Sequence, residues 1–303
     1  MKKTVSVLLF YIAIFNMLLM CSCSGGETDP DKLPDFTNTG EANTVNTEAV
    51  NKIIESFSSP IEMAALIESM KVPYSKKYLV PTEKAGDFDT NFKKALGLGM
   101  LSSDLGYLNV YHKQNEIIEY LTAIKRISDD LDVDKFFEFQ TLKRLATNSD
   151  NLDSLMFLSV KSYHNMDAHL RETERSDLSA LMVTGVWLEG LYLAVKVNEY
   201  ANDPSLRDRI GEQKTIINDM LKVLNSFKSK PYFDKLIVRF EEMRAAYEGV
   251  EITTQTKASQ EIVDKDGTVL IIDGTYTVVN MTDEQLNEIA TIIEKTRDSV
   301  INL

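Results

Sequence analysis

The stretch LSALMVTGVWLEGLYLAV, Leu178 to Val195, carries Glu189 as the single charge among eighteen mostly apolar residues. A helix that is apolar on every side is either buried all round or set in a membrane. A carboxylate at mid-helix costs roughly 2.5 to 3.5 kcal/mol on insertion scales, which disfavours spanning. The segment is therefore expected to be the central core helix, with the rest of the fold wrapped around it. Glu189 is then buried on at least one side, where a carboxylate must find donors or become neutral through a raised pKa. Two uses compete for it: an acid, base or ligand contact, or a partner inside a structural network, since such networks perturb carboxylates too.

Outward from this helix, apolar residues recur at three and four. Ile117, Ile118, Leu121, Ile124 and Ile127 form one stripe on a helix expected over about 114 to 130. Leu206, Ile210, Ile217, Met220, Leu221 and Leu224 form another, and Phe233, Leu236, Ile237, Phe240 and Tyr247 a third. Ser59-Pro60-Ile61-Glu62 reads as a capping box opening a helix from about 60 to 71, and Thr282-x-x-Gln285 opens a terminal helix that buries Leu286, Ile289, Ile293 and Val300. About eight long helices with short connections follow. The segment 250 to 280 breaks the period: it is rich in Thr, Val and Ile, with Asp-Gly at 266–267 and 273–274, and predicts a β-hairpin or small ribbon that needs a helix to pack on. The expected class is all-α, an irregular antiparallel multi-helix domain with a small β-hairpin before the C-terminal helix. No 34-residue period recurs, and Trp187-x-x-Gly190 lacks the flanking residues of a tetratricopeptide start.

A second segment, ALGLGMLSSDLGYLNVYH from Ala95 to His112, sets a leucine stripe beside Gly97, Gly99, Ser102, Ser103 and Gly106. Glycine inside a helix costs about 1 kcal/mol against alanine, so close helix crossing or a cavity is the expected compensation. Asp104, Tyr107 and His112 from this segment, with Trp187, Glu189 and Tyr192 from the core helix, are the candidates for lining a ligand cleft. Metal is not expected: His164 and His169 diverge by about 140° on a helix, no H-E-x-x-H or paired E-x-x-H occurs, and Asp264-Lys265-Asp266-Gly267 reads as a hairpin turn. Tyr163, His164, Asp167 and His169 read as a solvated face. No G-x-S-x-G elbow or Walker loop is present, and no cofactor is expected.

The chain has 303 residues, with 44% hydrophobic and 26% charged residues, ordinary values for a globular protein. A formal charge of −13 argues against nucleic acid as a partner, because phosphate binding needs clustered Lys and Arg. Lys2 and Lys3, the apolar run Val5 to Met20 and the small residues that follow read as a secretory signal; a membrane anchor is the alternative, but Asn16 interrupts a run just short of a span. The segment resembles a bacterial lipobox. Ser22 precedes Cys23, whereas bulky Met20 precedes Cys21, so Cys23 is the expected lipidation site and Cys21 the fallback. Residues 1–22 are the expected signal peptide; its loss with Lys2 and Lys3 takes the formal charge from −13 to −15. Residues 23–45 are the expected lipidated Cys and flexible tether, reaching about 25 Å as a coil, and residues 46–303 a single helical domain. Ser24 after Cys23 looks like the sorting pattern that permits passage to the outer membrane, with the periplasmic or outer face left open.

With the lipobox, FKKALGLGMLSSDLGYLNVY (92–111) and VTGVWLEGLYLAV (183–195) make the chain resemble a group of uncharacterised helical lipoproteins of Bacteroidota. The resemblance implies an envelope address and a helical fold, and no activity. The expected function is a non-catalytic binding or scaffolding lipoprotein, held to the membrane by its N-terminal lipid and engaging a protein, glycan or small-molecule ligand. The alternative is a carboxylate-dependent hydrolase with a cleft near Glu189 and Asp104. On the binding reading, Glu189→Gln is expected to leave the fold intact.

Overall fold

In the computed structural model the described residues are 67, 70–146, 152–256, 260–263, 269–272 and 275–302. The expected signal segment, Cys23, the tether and the Ser59-Pro60 capping box lie outside them, as does the helix over 60 to 71 apart from residues 67, 70 and 71. Two adjoining 3-10 turns, Lys76–Tyr78 and Thr82–Gly86, lead into α1, Asn91–Val110, whose first turn is capped where Thr90 Oγ1 accepts from Lys93 N. Then follow α2 (Gln114–Asp130), α3 (Phe139–Ala146), α4 (Leu152–Glu172) and α5 (Ser176–Ala201). α6 (Pro204–Asn225) and α7 (Phe233–Ala246) precede four short strands, and α8 (Asp283–Ile301) closes the described chain. The all-α class is as expected.

Helix α5 is long and apolar enough to cross a membrane, yet 89% of its apolar window is buried inside the protein. It is the hub: α1, α4, α6 and α8 all pack on it, and α2 backs α1 while α7 bridges α6 and α8. The closest approach is to α1, and glycine makes it possible. A Cβ on Gly99 would stand 2.1 Å from the Met182 carbonyl oxygen, and one on Gly185 would stand 2.2 Å from that of Leu96. The two backbones lie in each other's grooves, so the glycines of the Ala95–His112 segment serve close crossing. Gly185→Ala is expected to destabilise by about 2 kcal/mol, because a backbone clash of about 1–3 kcal/mol outweighs the gain in helix propensity. Gly106 meets nothing within 4 Å, so Gly106→Ala should be neutral or stabilising by up to about 1 kcal/mol. Urea unfolding of the two variants checks the contrast; equal midpoints would contradict it.

The stripes bury as expected on α2, α6 and α7, except that Ile237 is half-buried and Ile118 is 39% exposed because it sits one residue round from the inward face. α8 begins with the expected capping box, Thr282 accepting from Gln285 N and the Gln285 side chain accepting from Thr282 N. The described residues between 250 and 280 form two antiparallel pairs. β1 (Glu251–Thr256) pairs with β4 (Thr275–Asn280), and inside them β2 (Gln260–Val263) pairs with β3 (Val269–Ile272). The register steps by one residue from the outer pair to the inner. The turns expected at Asp266-Gly267 and Asp273-Gly274 lie outside the described residues. The base of the ribbon docks on α6, where Val279 fills the space a Cβ on Gly211 would take.

Candidate functional site

Four chain segments meet around Glu189. The side chain has no exposed surface, and its carboxylate receives a fork from Arg297: Nε lies 2.9 Å from Oε2 and Nη2 lies 2.7 Å from Oε1. Arg297 Nη2 also donates to the Tyr78 carbonyl at 2.9 Å, and the guanidinium lies 4.0 Å above the centre of the Tyr192 ring. Asp104, equally closed to solvent, accepts from Val80 N through Oδ2 at 2.9 Å, while Tyr120 OH donates to the Val80 carbonyl. Asp104 Oδ1 finds no N–H or hydroxyl donor among the described residues, and the neighbouring Glu189 carboxyl acts on Asp104 through its charge and a side-chain hydrogen bond.

Two ionised carboxylates cannot bond to each other, so one proton must sit between them. Burial, and then the charge of Glu189, push Asp104 well above the usual carboxylate range, against the pull of Val80 N–H and Arg297. Burial raises Glu189 too, but there the hydrogen bonds and charge of Arg297 oppose it. Asp104 is therefore the neutral acid, donating to an ionised Glu189, and the trio holds one anion, one cation and one shared proton. This arrangement leaves no net buried charge, which is what makes it tolerable in the core.

A raised carboxyl binds its proton more tightly folded than unfolded. The stability it confers is complete below the unfolded value of 3.8 and is lost as pH rises from there towards the folded value. Asparagine mimics the neutral acid, accepting from Val80 N and donating to Glu189 without titrating. Asp104→Asn is expected to flatten the decline in stability between about pH 4 and pH 7, by at most about 1.4 kcal/mol per pH unit. Guanidinium unfolding across that range reads the difference, and parallel curves would refute the neutral Asp104.

The six side chains expected to line one cleft do not do so. Asp104, Glu189 and Tyr192 gather on Arg297. Tyr107 belongs to a cluster with Tyr74 and Tyr111, its ring 4.7 Å from that of Tyr111 and its hydroxyl accepting from Ser75 N. Trp187 faces the other way, its Nε1 donating to Gln213 Oε1 at 2.9 Å and its ring 5.7 Å from Phe240. His112 is exposed just past the end of α1, with φ 53°. The reason is angular: on α5, Trp187 and Glu189 are two residues apart, about 200° round the helix. The solvated face expected on α4 is also corrected, since Tyr163 OH lies 2.8 Å from Ser179 Oγ, which in turn donates to Asp167 and ties α4 to α5.

Known protein families, curated proteins and solved structures provide no match to this chain.

Arg297 is the residue that sequence reasoning missed, and a signal was there. It stands four after Ile293 and three before Val300, on the apolar stripe of α8, where a charge requires a buried partner. A separate concave surface opens where the end of α5 meets the starts of α6 and α8: a cleft of about 530 Å³ whose lining includes Asn198, Asn202 and Asn287. Among the described residues no group of three or more His, Cys, Asp or Glu side chains is placed to hold a metal ion.

Proposed function

We propose that the chain is a non-catalytic binding or scaffolding lipoprotein of the cell envelope, anchored through lipidated Cys23 in the outer membrane and related to the helical lipoproteins of Bacteroidota. The observation that carries the non-catalytic part is the use made of Glu189 and Asp104. A hydrolytic pair needs its carboxyls about 5 to 10 Å apart across a space that admits substrate and water. Here both are closed to solvent and committed to Arg297 and Val80. Their chemistry is that of a structural network. The open, amide-lined cleft at the ends of α5, α6 and α8 supports binding as the alternative use of the fold.

The test is native mass spectrometry of the full lipidated chain extracted from its own envelope in mild detergent, for the native protein and for Asp104→Asn. The expected result is the same retained ligand or partner mass in both, on a chain carrying acyl groups that Cys23→Ser removes. A bare chain in both samples would overturn the binding reading. Loss of the retained mass in Asp104→Asn alone, with the fold intact, would return the buried pair to the site.

A further inference from the structure

The geometry points to the cleft between α5, α6 and α8 as a binding site for a neutral, polyhydroxylated ligand of the saccharide class, which deepens and rests on the binding reading above. The first observation is Asn198. It is only 5% exposed, it lines the cleft, and its Oδ1 has no hydrogen-bond partner among the described residues. A buried carbonyl left unpaired costs about 1–3 kcal/mol, a cost that a donor entering the cleft removes. Its neighbour one turn on, Asn202, ends α5 in the left-handed conformation, its N–H donating to the Asn198 carbonyl, and this turn helps to form the wall.

The second observation is what has happened to the charges. Arg207 is held by Asp283 and the Met281 carbonyl. Glu199 is paired with Lys196, which also reaches Glu294. Asp203 spends its Oδ1 on Ser205 N and Leu206 N at the start of α6. Glu199, Asp203, Arg207 and Asp283 themselves line the cleft, three acids to one base, and Asp203 is met by backbone N–H alone, so the remaining field repels an anion and leaves a neutral ligand or a cation to be decided by the other groups. Beside these charges the space is faced by carboxamide from two directions, Asn198 and Asn202 on one side and Asn287 of α8 on the other. A carboxamide presents one acceptor and two donors side by side, and neighbouring hydroxyls of a sugar present the same pair in reverse. Val195, Leu286 and Ala290 supply aliphatic surface for the C–H face of a ring. The volume of 530 Å³ falls inside the usual range for small-ligand sites, about 300 to 1,000 Å³, and admits a disaccharide. With no aromatic side chain in the lining to stack on a ring, affinity in the millimolar range is expected.

The experiment is a titration of the purified, 15N-labelled full chain in detergent, followed through the side-chain NH2 signals of its asparagines. The probes are N,N′-diacetylchitobiose and cellobiose as neutral disaccharides, and 1,4-diaminobutane as a cation of comparable reach. The expected result is a saturating shift of the Asn198, Asn202 and Asn287 signals with at least one disaccharide and none with the diamine. Asn198→Ala should weaken that binding at least tenfold without lowering the melting temperature, because it removes a buried carbonyl that has no hydrogen-bond partner among the described residues. No shift at up to about 50 mM disaccharide, binding unchanged in Asn198→Ala, or shifts with the diamine alone would each overturn the assignment. The two readings fail separately: a mass retained from the envelope with no response to disaccharides would sink the saccharide site and leave the binding function standing.

Discussion

Glu189→Gln is expected to cost about 3–5 kcal/mol of stability, because it strips the anion from a guanidinium that is 6% exposed and leaves that cation in the core. The sequence reading tied an intact fold on this substitution to the binding function without naming the partner of Glu189; Arg297 is that partner, and it makes the substitution costly. The loss should also depend on pH in a stated direction. With Glu189 neutralised, the nearby Asp104 no longer faces a negative neighbour and can ionise to answer Arg297. The destabilisation is therefore expected to be larger near pH 5 than near pH 8. Replacing both members, Glu189→Leu with Arg297→Met, should recover much of the loss, since an apolar pair of similar volume carries no desolvation penalty. Unfolding in guanidinium at both pH values gives the double-mutant cycle. A single-variant cost below about 1 kcal/mol would show that Glu189 is not the charged partner.

Trp187→Ala is expected to be as damaging, about 3–5 kcal/mol, through the cavity it opens among α5, α6 and α7. The side chain is 2% exposed, and its removal also strands Gln213 Oε1. Trp187→Phe keeps most of the packing and loses the indole N–H, so a smaller cost of about 1–2 kcal/mol is expected. Trp187 is the only tryptophan in the chain, so the unfolding of the variants must be followed by far-UV circular dichroism. If Trp187→Ala melted with the native protein, the packing described for α5 would be wrong. Neither variant bears on ligand chemistry directly, because Trp187 faces the core and is not part of the cleft lining.

Much of the helical framework was legible before any coordinates. The α2 stripe, the α6 stripe and the Thr282–Gln285 capping box each depend on residues three or four apart, and a helix reads itself at that range. The hairpin segment was legible for a similar reason, its β-branched composition, but its nested pairing was not, since register is set by partners across the ribbon. The candidate site was read in part. Glu189 is buried as expected, whereas Asp104, expected to line a cleft, is closed to solvent beside it. Their company was not legible, and neither was the direction of Trp187, which shares a helix with Glu189 and faces away from it.

By itself the sequence determined where α2 and α8 begin, which faces of α2, α6 and α7 are apolar, and that Leu178 to Val195 must be surrounded by protein. These properties follow from local periodicity, capping and the cost of exposing hydrocarbon. Only the tertiary structure decided that Gly99 and Gly185 let two backbones touch, that Glu189 meets a cation 108 residues away, and that Asn198 and Asn287 face one opening. Those are pairings between distant positions, and each is selected by the packing of whole helices. A charge on an apolar stripe announces that it needs a partner. Which partner it finds depends on the helices that the buried face of α5 draws together.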